Sequence, residues 1–132
     1  MVAEHPNVEL LRRTAAAFAA RDAPALSELF HDDAVWTVGG RSAIAGEYRG
    51  LGEILALFGR VAELTGGSYR IDPLWFLADD DHGVTLYRAT GQRAGRSIDL
   101  QQVAVVAFRG GRLAEIVVLP FDQYVFDGFW AD

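Results

Sequence analysis

LGEILALFGRVAELTGGSYRIDPLWFLA, residues 51–78, contains the point where the chain changes its periodicity. Before Leu64, the residues Leu51, Ile54, Leu55, Phe58 and Val61 fall on one stripe at helical spacing, which predicts a helix over 51–64. Gly66-Gly67 ends it, because glycine takes the left-handed backbone that closes a helix without a side-chain clash. From Tyr69 the pattern becomes period two, with alternate residues on opposite faces of a strand. A single switch of this kind argues for helices first and antiparallel strands after. It does not suit helices alternating regularly with parallel strands.

Reading toward the N-terminus, Val8, Leu11, Ala15 and Phe18 recur at helical spacing, with Pro6 at the first turn and Ala15-Ala16-Ala17 as strong helix formers. Asp22 is a candidate N-cap for a second, shorter helix carrying Leu26, Leu29 and Phe30. His31-Asp32-Asp33 stops that helix, His31 tipping its C-terminus where positive charge is favoured. Ala34–Val38 then alternates like a strand, and Gly39, Gly40, Gly46 and Gly50 punctuate an irregular crossing. Toward the C-terminus, strands are expected at Tyr69–Ala78, Gly83–Gln92, Ser97–Arg109 and Arg112–Phe121. The breaks between them are Asp79-Asp80-Asp81, Arg93-Ala94-Gly95-Arg96 and Gly110-Gly111. The expected product is one α+β domain over residues 1–132, with its helices on one face of a strongly bent, mostly antiparallel sheet. Phe18, Leu29, Phe58, Val106 and Ile116 should be buried together.

Composition narrows the classes. The 132 residues are 51% hydrophobic and 23% charged, enough apolar surface for a core without staples. No cysteine is present, which removes disulfides and thiolate metal sites. A net charge of −6 and a single adjacent basic pair, Arg12-Arg13, exclude a nucleic-acid footprint. The opening MVAEHPNVELL lacks the basic and apolar regions of a signal peptide, and no run approaches the roughly 20 apolar residues that span a bilayer. A soluble, cytoplasmic protein is expected, with no nucleic-acid or membrane partner.

The tail, RLAEIVVLPFDQYVFDGFW at 112–130, sets Asp122 among Phe121, Tyr124, Phe126, Phe129 and Trp130. A carboxylate among rings either caps a surface turn or faces an apolar cavity that shifts its pKa, because burying an unpaired charge is costly.

The order of elements, with LFHDDAVW after a helical hairpin and a closing FRGGRLAEI hairpin, resembles the nuclear transport factor 2-like superfamily. More narrowly it resembles its SnoaL-like domains, relatives of ketosteroid isomerase, polyketide cyclase and limonene epoxide hydrolase. The resemblance implies a cone, three helices closing over a bent sheet around an apolar pocket, and a homodimer. It also places the isomerase's catalytic positions at Thr14, Val38 and Ala104, none of which carries the required side chain. That mechanism is excluded.

In the same register, the residues expected to line the pocket are Trp36, Val38, Phe58, Val84, Leu86, Ala104, Val106, Ile116, Val118 and Pro120, with Arg88, Gln102 and Asp122 as polar interruptions. The resemblance to SnoaL-like cyclases makes Asp122 the candidate general acid and base, with Arg88 and Gln102 stabilising an oxyanion. The structural alternatives stand beside this: Arg88 can equally pair with a surface carboxylate, and Asp122 after Pro120 can equally cap a turn. Epoxide hydrolase-like water activation would need a second carboxylate, and Asp99 points to the face opposite Gln102. Proton transfer by a carboxylate requires no cofactor. His5, His31 and His82 lack ligand spacing, and consecutive Asp79-Asp80-Asp81 reads as a solvated turn, so no metal is expected. The expected function is binding of a compact apolar small molecule, as a cofactor-independent isomerase or cyclase. The rival is a non-catalytic binding or dimerisation module, pairing through the outer sheet face of Gln101, Val103, Val105, Ala107, Val117 and Leu119.

Overall fold

A computed structural model of the chain describes residues 4–132. The N-terminal half is helical: α1 (Pro6–Ala20), α2 (Ala23–Leu29) and, after two strands, α3 (Leu51–Leu64). Pro6 starts α1, and the His5 ring caps it by accepting from the Asn7 amide. Asp22 caps α2 by accepting from the Ala25 amide at 3.1 Å, as the sequence predicted. Gly66 and Gly67 both take positive φ, and the Gly67 amide closes α3 on the Ala62 carbonyl.

Six strands form one mixed, open sheet: β1 (Phe30–Val38), β2 (Gly46–Arg49), β3 (Arg70–Ala78), β4 (His82–Arg93), β5 (Arg96–Arg109) and β6 (Arg112–Pro120). Their order is β2-β1-β6-β5-β4-β3, antiparallel throughout except for β1 beside β6. The helices cover one face, and the core there joins Leu11, Leu29, Phe30, Ile54, Val106, Leu113 and Ile116. Phe58 packs against this core and meets the half-buried Phe18 edge-to-face at 4.9 Å.

Three local expectations are corrected. β1 begins directly at Phe30, so His31 lies within a strand and its ring meets the Arg109 carbonyl of the neighbouring hairpin; it does not tip a helix. The crossing after Val38 contains a regular edge strand, β2, paired to β1 through Trp36 and Tyr48. Beyond β6 the tail forms a fourth helix, α4 (Gln123–Phe129). Asp79-Asp80-Asp81 is a turn: the Asp79 carboxylate accepts from the amides of Asp81 and His82, which holds its pKa below the usual range.

Candidate functional site

Between the helices and the covered sheet face lies a cavity of about 100 Å³. It adjoins an open groove of about 610 Å³ between α1, α2, α3 and the start of β3, the two sharing Phe18, Leu26, Phe58, Val61, Tyr69 and Ile71 as walls. Strands β1, β5 and β6 supply the floor in the predicted register. Trp36 pairs with Ile116 and Val38 with Val118 across the parallel join, while Ala104 pairs with Val118 and Val106 with Ile116 across the antiparallel one. These six, with Phe58 and Gln102, line the cavity as the sequence reading placed them. Thr14, Val38 and Ala104, the positions that the resemblance assigns to the isomerase's catalytic side chains, also lie on its wall.

On β4 the predicted face was the wrong one. Val84, Leu86 and Arg88 point to the outer side, and Thr85 and Tyr87 line the cavity instead. The reason is the two-residue turn Ala94-Gly95, both at positive φ, which sets Arg93 opposite Arg96. Each odd residue of β4 then faces an even residue of β5: Thr85 meets Ala104 and Tyr87 meets Gln102. The hairpin length was the signal that would have found Tyr87. Pro120, at the exit of β6, does not reach the cavity.

Arg88 therefore cannot serve a buried oxyanion. On the outer face its guanidinium grips Asp99 through two bonds, at 2.7 and 2.6 Å, and that pairing pulls the Asp99 pKa down. Asp122 is also outside. It is exposed and caps α4, its carboxylate accepting from the Val125 amide at 3.1 Å. Of the three residues expected to be catalytic only Gln102 faces the interior; the Asp122 carboxylate stands outside the cavity and has no access to a molecule held within it. The aromatic cluster around Asp122 has another purpose: α4 folds back so that Phe126 and Trp130 close the cavity wall. Arg93 donates to the Phe129 and Ala131 carbonyls at 2.8 and 2.7 Å, and Arg96 reaches Ala131 at 2.8 Å, which pins this tail to the β4–β5 hairpin.

The polar part of the cavity is small. Gln102, 1% exposed, donates from Nε2 to the Tyr87 hydroxyl at 2.9 Å, and among the described residues its Oε1 has no partner. The indole N–H of Trp130, also 1% exposed, has none either. Burial pushes the Tyr87 phenol up to about 12, the hydrogen bond from Gln102 opposing it, and drives that of Tyr69 well above its usual range. Both tyrosines therefore stay neutral. Among the described residues, no charged side chain lines the wall. Among the described residues, no three His, Asp or Glu side chains gather where they could hold a metal ion.

With this geometry in view, the family match is informative. Residues 11–116 match the model of the SnoaL-like domain. The chain belongs to the SnoaL-like domain family. The match ends within β6, so the part of the wall built by α4 and Trp130 lies beyond it. This SnoaL-like chain is 32% identical over 126 residues to an uncharacterized protein of Mycobacterium tuberculosis, covering 95% of this chain and 96% of that one. It is 38% identical to Bal32a from a soil-derived mobile gene cassette, with a TM-score of 0.91 over 94% of this chain and 95% of Bal32a. An NTF2-like protein of unknown function from Burkholderia pseudomallei shares the fold at 24% identity, TM-score 0.83, over 96% and 98% of the two chains. The fold is thus nuclear transport factor 2-like. No described helix is long and apolar enough to cross a membrane.

Proposed function

We propose that this SnoaL-like protein binds a compact, neutral, largely apolar small molecule inside its cone. The observation that carries this is the cavity wall itself, apolar on nearly all sides and without a single charged side chain. A charged ligand enclosed there would lose its hydration and find no counter-charge, a penalty larger than contact with the rings could offset. Isomerase or cyclase chemistry through a cavity carboxylate is the weaker reading, because Asp122 and Asp99 are both on the surface. At about 100 Å³ the cavity is smaller than the roughly 150 Å³ apolar void that takes one benzene ring, so a ring seated in it would reach into the adjoining groove.

Calorimetric titration with 4-ethyltoluene and with the 4-ethylbenzoate anion tests this reading. The hydrocarbon should bind and the anion should not, and Ala104→Phe, which fills the floor, should abolish hydrocarbon binding. Equal or tighter binding of the anion would overturn it.

A second reading, homodimerisation, concerns the opposite face. There Trp75, Leu77, Val117 and Leu119 are 43%, 62%, 36% and 47% exposed, beside Val103 and Val105. An apolar face of this extent is unusual on a soluble monomer and suits a second copy of the same sheet. Light scattering should report a dimer at micromolar concentration and a monomer for Val105→Asp; a wild-type monomer under those conditions would sink the idea.

A further inference from the structure

We infer that the cavity recognises a neutral ring compound carrying a hydroxyl group, read by the Tyr87–Gln102 pair, and a carbonyl-type acceptor, read by the Trp130 indole N–H. This rests on the small-molecule reading above and names the chemistry of the molecule. The starting point is three buried polar groups with capacity to spare. Among the described residues Gln102 Oε1 and Trp130 Nε1 have no partner, and the Tyr87 hydroxyl finds no acceptor for its own proton. Buried polar atoms are nearly always hydrogen-bonded, and leaving one unpaired is expensive. Four buried side-chain atoms lack a partner among the described residues, and the two that belong to residues lining the cavity, Gln102 Oε1 and Trp130 Nε1, mark the places where a ligand completes the set; Ser42 Oγ and Arg93 Nε lie on residues outside its wall.

The pair offers the same chemistry whichever way the amide is turned. With Nε2 toward the phenol, Oε1 is free to accept and the phenol proton is free to be donated. With Oε1 toward the phenol, the amide N–H groups are free to donate and the phenol oxygen is free to accept. Either arrangement presents one donor and one acceptor side by side. A hydroxyl group is the smallest neutral partner that satisfies both. The indole N–H can only donate, so it calls for an acceptor without a proton. The fold brings these groups to one region. Gln102 pairs with Pro120 at the exit of β6, and α4, which starts three residues later, carries Trp130 back over the cavity against Tyr69 at 5.6 Å. Leu100, two residues before Gln102 on the same face, packs into the cluster around Trp130.

The test compares 4-hydroxyacetophenone, which carries both groups on one ring, with 4-ethyltoluene, which has a similar shape and neither group. Titrations are run by calorimetry at pH 6.5, where the phenol is neutral. Wild-type protein should prefer the hydroxy-ketone by about tenfold or more, as sites with buried hydrogen-bonding groups do. Trp130→Phe and Gln102→Leu should each remove most of that preference while retaining hydrocarbon binding. The paired replacement Tyr87→Phe with Gln102→Leu should also lose it, with an unfolding midpoint in urea at or above wild type, since the free protein is relieved of an unsatisfied group. Hydrocarbon bound as tightly as hydroxy-ketone by wild type would overturn this inference and leave the apolar-cavity reading intact. So would a preference that persists in all three variants, or a paired replacement much less stable than wild type. Failure of both compounds to bind would overturn the apolar-cavity reading itself.

Discussion

Tyr87 and Arg88 are adjacent on β4, yet they belong to different worlds. Tyr87 is buried, bonded to Gln102 and held neutral, while Arg88 stands half in solvent and donates from Nε and Nη2 to the Asp99 carboxylate. The pleat alone separates them, because consecutive strand residues face opposite sides. On the helix-covered side, a polar group without a partner is costly and therefore informative. On the open side, the same type of contact is screened by water and carries little energy. Polar residues on the two faces of this sheet cannot be weighed alike.

Substitutions can sharpen that contrast. The largest effect is expected inside: Phe30→Ala removes a ring that is 0% exposed, and should lower unfolding stability by about 3–5 kcal/mol in urea denaturation. Leu119→Ala on the outer face should cost far less in the monomer, so comparable losses would show that the faces are not energetically distinct. Next comes the surface carboxylate once considered for catalysis. Asp122→Ala removes the α4 cap and should cost about 1 kcal/mol, while Asp122→Asn, which can still cap, should be nearly neutral. Neither should change binding of 4-ethyltoluene; a large loss of affinity in the Asn variant would return Asp122 to the site.

A smaller, pH-dependent effect belongs to the interior. The Tyr87 pKa is raised in the folded state, so above pH 10 the unfolded chain sheds this proton before the folded one does. Stability is therefore complete below about pH 10 and declines as pH rises toward about 12. In Tyr87→Phe the decline should be shallower, which chemical denaturation at a series of pH values would read directly. In the monomer the least effect is expected from Arg88→Gln: the pair with Asp99 is exposed there, so the unfolding midpoint should hardly move and should respond slightly less to salt. A marked destabilisation would mean that the outer face is covered, as dimerisation would require.

The parts of the site legible beforehand were those whose spacing depends only on local rules. Strand alternation placed Trp36 and Val38, and Gln102, Ala104 and Val106, on one wall, and the helical stripe of α3 placed Phe58 there. The β4 residues were misplaced because facing depends on the partner strand's register, and that is set by the turn at Ala94-Gly95 and not by the strand's own alternation. Val84, Leu86 and Arg88 alternate as cleanly as Thr85 and Tyr87, so hydropathy did not separate the two sets. Asp122 was misread for a related reason. Its aromatic neighbours are close in sequence, but α4 turns Phe126 and Trp130 inward while leaving the capping carboxylate in water.

From the sequence alone come the α+β fold class, the change of period at Gly66-Gly67, the bounds of α3 and, to within a residue, of the long strands, and the identity of the side chains at Thr14, Val38 and Ala104. Those follow from contacts within a few residues, where periodicity, capping and turn chemistry act directly. Only the tertiary structure decided that Gln102 and Tyr87 meet, that Trp130 walls the same cavity, and that Arg88 and Asp122 are turned to solvent. Each of these depends on which strand lies beside which and on where the tail folds back, and such pairings join residues 15 to 38 positions apart through the register of the whole sheet.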